Sequence, residues 1–110
     1  MNYSDIQTAN AVKTRTPMKL NQREVTVPDG HTVRVSLHGT PCLSVDHHAC
    51  QIEIDGATPA TRKSTRLINT VLEAFGPFRV FTRKGQWWVL NPGGGRLEFT
   101  GKLATIPMNI

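Results

Sequence analysis

The sequence predicts an α+β domain with a mostly antiparallel sheet and one principal helix. Apolar and polar residues alternate between Arg23 and Asp55, which is the two-residue period of β-strands. The period becomes helical across residues 61–75. After the Gly76-Pro77 break, short aromatic segments alternate with turn residues. The expected order is therefore a β-meander, a helix and a three-stranded β unit.

The composition is that of one globular domain. A chain of 110 residues with 38% hydrophobic and 19% charged residues supports a single core and is not a disordered chain. No apolar run approaches the roughly 18 to 20 residues of a membrane span, so no membrane partner is expected. Residues 1–20 lack the apolar segment of a signal peptide, and two cysteines suit a reducing compartment. We expect a cytoplasmic protein.

Residues 1–20 show no sustained hydrophobic period. Ile6, Ala9 and Val12 are spaced like one face of a short helix, but the run from Thr14 to Pro17 interrupts it. We predict a flexible N-terminal arm over residues 1–20 and a single α+β domain over residues 21–110.

Residues 23–55 are predicted to form the antiparallel meander. Two alternating runs flank the turn Pro28-Asp29-Gly30, and a break at residues 38–41 precedes a hairpin of residues 42–46 and 50–55. The inward positions are Val25, Val27, Val33, Val35, Leu37, Cys50, Ile52 and Ile54. In this register Cys42 lies opposite Glu53.

The helix is predicted to pack through an apolar stripe and to end at Gly76-Pro77. The stripe consists of Leu67, Val71, Leu72 and Phe75, widened by Ile68. Thr58, Thr61 and Ser64 are all candidate N-caps, so the first turn is not fixed.

The last β unit begins with a hairpin whose two faces differ. A loop at Lys84-Gly85 pairs Phe81 with Trp88 and Thr82 with Trp87. One face carries Phe78, Val80, Trp87 and Val89, and the other carries Arg79, Phe81, Arg83, Trp88 and Leu90. The second face is typical of surfaces that stack bases and neutralise phosphates. Two alternatives remain: a second buried layer rimmed by arginines, and an anchor for a protein partner.

The charge is concentrated in the same region. Residues 56–97 contain seven basic residues and one acidic residue, a net charge of +6, whereas residues 1–55 sum to −1. Such a region favours nucleic acid or an acidic protein surface. The predicted nucleic-acid-binding residues are Arg62, Lys63, Arg66, Arg79, Phe81, Arg83, Lys84 and Trp88. Arg62, Lys63 and Arg66 also form a candidate anion site with Thr61 and Ser64, for which a solvated charge cluster is the alternative.

No motif predicts a metal site, a cofactor or a reaction. The candidate ligands are His38, Cys42, His47, His48 and Cys50, and their spacing matches no familiar zinc motif. The glycines at 93–95 are followed by Arg96 and not by the Lys-Ser/Thr of a phosphate-binding loop, which favours a flexible turn. Because no nucleophile motif or paired carboxylates are present, we expect a binding protein and not an enzyme.

Two segments resemble a pattern found in small uncharacterised bacteriophage proteins. They are Thr61-Arg62-Lys63-Ser64-Thr65-Arg66-Leu67-Ile68-Asn69 and Val80-Phe81-Thr82-Arg83-Lys84-Gly85-Gln86-Trp87-Trp88-Val89. The Leu37-His38-Gly39 break is similar too, and the likeness covers mostly residues 61–90. The resemblance implies a phage-encoded accessory protein in a bacterial cytoplasm that binds nucleic acid or a host protein. Anti-CRISPR and other anti-defence inhibitors belong to the second class.

Overall fold

The fold is α+β and mostly sheet, as the sequence predicts. The computed structural model describes residues 3–55, 59, 61–76, 78–84 and 86–90, together with the backbone of 96–99 and 103–107. The elements in chain order are α1 (Tyr3–Thr14), β1 (Met18–Leu20), β2 (Arg23–Thr26), β3 (Thr32–Leu37), β4 (Thr40–Asp46), β5 (Gln51–Asp55), α2 (Arg62–Glu73), β6 (Arg79–Arg83), β7 (Gln86–Leu90), β8 (Arg96–Phe99) and β9 (Leu103–Pro107). In these described ranges, neither helix is long and apolar enough to cross a membrane.

The strands form two antiparallel sheets. The large sheet has the order β1-β2-β3-β4-β5-β9, and the small sheet has the order β6-β7-β8. The predicted meander is confirmed as β2 to β5, but two predicted inward positions, Val27 and Cys50, lie outside the strands and are only half-buried. Its inward side chains are buried because they alternate with polar residues on the solvent side. The buried residues are Val25, Val33, Val35, Leu37, Leu43, Val45, Ile52 and Ile54.

The register of the β4–β5 hairpin differs from the predicted one because residues 47–50 form the turn, in which Cys50 has a positive φ of 56°. Ser44, and not Cys42, lies opposite Glu53. On the other side of β4, Leu43 pairs with Val35 and Pro41 pairs with Ser36. Cys42 therefore has no partner residue in β3 and forms a β-bulge. This bulge turns the side chain of Cys42 inward beside that of Leu43, and both are buried. Regular alternation could not predict two adjacent inward residues.

Helix α1 differs from the flexible arm predicted for residues 1–20. Residues 3–14 form a helix that packs against α2 and the first strands of the large sheet. Its buried side chains are mostly small or polar: Ser4, Asp5, Thr8, Ala9, Ala11 and Val12. The Thr8 hydroxyl donates a 2.7 Å hydrogen bond to the carbonyl of Ser4, which satisfies it inside the protein. Residues 3–14 are therefore a docked helix and not an arm.

Helix α2 lies between the large sheet and the small sheet. Leu67, Ile68, Val71 and Leu72 are each at most 1% exposed, and Phe75 is 9% exposed. They join the valines and isoleucines of the large sheet and the inward residues of β6 and β7 in one hydrophobic core. The predicted stripe is thus confirmed, and it fixes which side of α2 remains outside the core.

The β6–β7 hairpin has the predicted register. Phe81 pairs with Trp88, and Thr82 pairs with Trp87. Val80, Trp87 and Val89 are buried, which confirms the predicted core face. β8 adds the predicted third strand beside β7. The proposed turn at residues 92–95 lies outside the described residues.

Candidate nucleic-acid interface

The first turn of α2 is fixed by a capping box. Thr61 is the N-cap, and its hydroxyl oxygen accepts a 3.1 Å hydrogen bond from the main-chain N–H of Ser64. The Ser64 hydroxyl oxygen in turn accepts a 3.0 Å bond from the Thr61 N–H and lies 2.6 Å from the Pro59 carbonyl. Of the three candidate caps, Thr61 is therefore the one used.

The capping box changes the predicted anion site at the helix start. Ser64 is 2% exposed, and its hydroxyl and N–H are both occupied within the protein. Thr61 and Ser64 are therefore committed to the helix end and do not form an anion site. The cations of the same turn, Arg62 and Lys63, remain exposed on the surface.

The helix is held against the edge of the small sheet by one amide side chain. Asn69 Nδ2 donates to the carbonyl of Val80 at 2.9 Å, and Asn69 Oδ1 accepts from the N–H of Val80 at 2.7 Å. β6 is an edge strand of the small sheet, so these bonds occupy main-chain groups that β7 does not reach. Asn69 thus fixes α2 beside β6.

This attachment makes neighbours of the two elements that carry the predicted cations, α2 and the β6–β7 hairpin. Glu73 contacts Arg79 and Asn69 contacts Val80, so β6 runs back along α2. Arg62 lies seven residues before Asn69 and shares its helix face. From Asn69 to Arg62 the helix rises about 10 Å, and three strand residues from Val80 to Arg83 cover about the same length. The start of α2 therefore lies towards the end of β6.

The aromatic pair lies on the outward face of the hairpin. The rings of Phe81 and Trp88 are stacked, with centroids 6.1 Å apart and an angle of 7° between their planes. Both side chains are half-buried. Parallel rings at this separation overlap only partly, so each presents aromatic surface to a further ring. The face is therefore intermediate between the predicted stacking surface and the alternative of a second buried layer, because its aromatics are only partly covered.

Two of the six predicted cations are held by carboxylates. Arg66 Nε lies 3.3 Å from Asp5 Oδ2, and Arg79 Nη1 lies 3.3 Å from Glu73 Oε1. Within the described part of the chain, the other four have no ion-pair partner: Arg62, Lys63, Arg83 and Lys84. The basic-aromatic surface is defined here as these four cations with Phe81 and Trp88.

Asp5 and Arg23 belong to the same region and were missed by the sequence analysis. The carboxylate of Asp5 is fully buried, and its Oδ1 accepts a 2.8 Å hydrogen bond from Nε of Arg23, which is 5% exposed. Arg23 also donates from Nη1 to the carbonyl of Asn21 at 2.7 Å. One signal was present: Arg23 shares the inward phase of β2 with Val25. An inward arginine requires a buried acceptor.

The histidines and cysteines have structural surroundings. His47 Nε2 donates to the carbonyl of Val12 at 3.1 Å, and its ring lies edge-on to Phe75. Burial raises the pKa of the Cys42 thiol to about 11, so the free thiol is protonated at neutral pH. Across the described ranges, no three His, Cys, Asp or Glu side chains are arranged to hold a metal ion.

Asp46, at the end of β4, closes the turn that contains His47 and His48. Asp46 Oδ1 accepts hydrogen bonds from the N–H groups of Ala49 and His48, at 3.0 and 2.9 Å. These bonds, the one from Ala49 first, hold the pKa of Asp46 below its ordinary value. The carboxylate thus closes the β4–β5 turn.

No protein-family model, curated protein or solved structure matches this chain.

Proposed function

We propose that the chain binds single-stranded nucleic acid through the basic-aromatic surface. The observation that carries the proposal is that α2 and the hairpin, which Asn69 joins, both carry cations with no described ion-pair partner, and that the hairpin also carries a stacked aromatic pair. In this role Arg62, Lys63, Arg83 and Lys84 contact phosphates, and Phe81 or Trp88 stacks on a base.

Unpaired cations suit a polyanion better than paired ones. Arg66 and Arg79 already have carboxylate partners, so they gain less from a phosphate than the four free cations do. Neutralising several phosphates also releases condensed counterions, which supplies most of the affinity in binding that does not depend on base sequence. We therefore expect affinity without strong base preference.

The proposal extends to the biological setting that the resemblance implies. In that setting the chain is a non-enzymatic, phage-encoded accessory protein that acts in a bacterial cytoplasm. Resemblance to uncharacterised proteins supplies no reaction, so association with nucleic acid is the whole of the proposed activity.

The alternative is an inhibitor that binds an acidic host protein, such as an anti-defence factor. The observation that favours it is the same aromatic pair among arginines and lysines, because Trp and Arg also anchor protein interfaces. The two proposals differ in their ligand, and this difference makes them separable.

The test is a titration of a fluorescent single strand with a charge-deleted variant. Arg83→Gln with Lys84→Gln removes two unpaired cations, and we expect about tenfold or greater loss of affinity at low salt. The matched control is Lys19→Gln with Arg34→Gln, which removes two exposed cations from the outward face of the large sheet, away from α2. Equal loss in both variants would contradict the assignment to this surface.

Affinity capture from bacterial lysate, with and without nuclease, tests the alternative. The proposal predicts that nuclease removes the captured material. One acidic protein retained after nuclease treatment, with no oligonucleotide binding at low salt, would replace the nucleic-acid proposal by the inhibitor.

A further inference from the structure

A concave pocket next to the basic-aromatic surface is lined by cations from two different elements. The pocket has a volume of about 330 Å³ and lies between α1, the β1–β2 turn and α2. Its lining residues are Ser4, Asn21, Gln22, Arg23, Lys63 and Arg66. Only Lys63 and Arg66 were among the predicted site residues, so Arg23 and the turn add a wall that the sequence analysis did not include.

The floor of the pocket is a fixed charged network. Asp5 lies beneath it and contacts Nε of both arginines, at 2.8 Å for Arg23 and 3.3 Å for Arg66. The two bonds described for Arg23 use its Nε and Nη1, and its Nη2 makes no hydrogen bond within the described residues. A guanidinium that is 95% buried and fixed by two bonds loses little further freedom when it binds a ligand.

The turn that closes the pocket is also rigid. Asn21 and Gln22 both have positive φ, 47° and 66°, as the two-residue turn between β1 and β2 requires. The carbonyl of Gln22 accepts a 2.9 Å hydrogen bond from the N–H of His38, and the Asn21 amide donates to the Ser4 hydroxyl. The main chain of the turn and the side chains of Asn21 and Ser4 are therefore held by the fold.

The charge of the pocket indicates the class of ligand. Three cations and one carboxylate leave an excess of two positive charges around a space open to solvent. A phosphate monoester carries about −1.5 to −2 at pH 7 and presents three acceptor oxygens. A phosphodiester inside a strand carries only one negative charge. The pocket therefore matches a terminal phosphate better than an internal one.

We infer that this pocket binds the terminal phosphate monoester of the single strand whose chain lies on the basic-aromatic surface. In this arrangement Lys63 contributes a positive charge that no described carboxylate neutralises, and Arg66 and Nη2 of Arg23 donate further hydrogen bonds to the phosphate oxygens while Asp5 holds the Nε atoms of both arginines. The inference rests on the proposed nucleic-acid binding, and it adds recognition of a strand end. The main-chain N–H of Ser64 takes no part, because the capping box occupies it.

The experiment compares three strands of one sequence, about 12 nucleotides long and labelled internally. One strand carries a 5′-phosphate, one carries a 3′-phosphate, and one has hydroxyls at both ends. We expect one or both phosphorylated strands to bind on the order of tenfold more tightly than the hydroxyl strand. The phosphorylated strand that binds more tightly than the hydroxyl strand identifies which end enters the pocket.

Variants assign the preference to the pocket. Lys63→Gln removes an exposed cation without disturbing the Asp5 network, and we expect the phosphorylated and hydroxyl strands to bind it nearly equally. Lys13→Gln, on the last turn of α1 and outside the pocket, should keep the preference. Equal affinity of the unsubstituted protein for all three strands, or an undiminished preference in Lys63→Gln, would overturn the pocket and leave the proposed function standing. No binding of any strand at low salt would overturn both.

Discussion

A single carboxylate, that of Asp5, positions two arginines that come from different elements. Arg23 belongs to β2 and Arg66 to α2, and each approaches a different oxygen of Asp5. A buried ion pair of this kind gives little net stability compared with apolar packing, because both charges lose water. What it does give is orientation, since the arginines can satisfy the carboxylate only where the three elements meet.

We predict that Asp5→Asn lowers the free energy of unfolding by about 3 to 5 kcal/mol. The substitution keeps the shape of the side chain but leaves Arg23, only 5% exposed, without a compensating negative charge. Denaturant unfolding followed by circular dichroism measures the loss. Glu24→Gln is the control, because this exposed carboxylate makes no described ion pair, and its removal should cost at most about 0.5 kcal/mol. Equal stability of the two variants would contradict a structural role for Asp5.

Asp5 and Arg23 also show where sequence analysis ends at the scale of the residue. An arginine in the inward phase of a strand indicates that an acceptor exists, but not which one. The partner lies 18 positions earlier, on a helix that the sequence did not predict. Pairings of this kind depend on how elements pack, and a single sequence contains no pattern that reports them.

The elements differ in how clearly their sequences specify them. The stripe of α2 and the inward residues of β3, β5, β6 and β7 are mostly large and apolar and regularly spaced, so their period predicted both type and face. In α1, Asp5, Thr8, Ala9 and Val12 are also spaced at i, i+3, i+4 and i+7. Because this buried face is polar or small, a period defined by hydrophobicity did not detect it.

The contact between α2 and β6 was also not predictable, because Asn69 is an ordinary polar residue in the helix sequence. Only the structure shows that its amide acts like a neighbouring strand for Val80. This contact decides how the basic residues of α2 and the hairpin are placed relative to one another. The composition of the candidate site could thus be predicted from the sequence, but its geometry could not.

We predict that Asn69→Ala lowers the free energy of unfolding by about 1 to 3 kcal/mol and increases hydrogen exchange at the Val80 amide. The change removes a donor and an acceptor from main-chain groups at a partly buried edge. Thr70→Ala is the matched control, since its hydroxyl bonds only to the Arg66 carbonyl inside α2. Both variants gain the helix propensity of alanine, so the difference between their free energies of unfolding reports the Asn69–Val80 hydrogen bonds alone. Unchanged exchange at Val80 in Asn69→Ala would show that α2 does not protect the edge of β6.

At the scale of the whole molecule, folding concentrates the positive charge further. All six predicted cations lie in residues 56–97. In the folded protein, Asp5 neutralises Arg66, and Glu73 neutralises Arg79. The other cations of the site have no ion-pair partner among the described residues, and they come from the first turn of α2 and from the end of β6 and the loop after it. The number of cations available to phosphates is therefore set by the structure and is smaller than the sequence indicates.

This number fixes the expected response to salt. With four phosphate contacts, the logarithm of the association constant for a single strand should fall against the logarithm of salt concentration with a slope of about −3. Arg83→Gln with Lys84→Gln should halve that slope, because two contacts remain, whereas Lys19→Gln with Arg34→Gln should leave it unchanged. Fluorescence anisotropy titrations across a series of salt concentrations measure all three slopes. A slope near zero in the unsubstituted protein would mean that phosphate contacts do not drive binding. A slope that the Arg83 and Lys84 substitutions leave unchanged would mean that the phosphate contacts are made by another part of the surface.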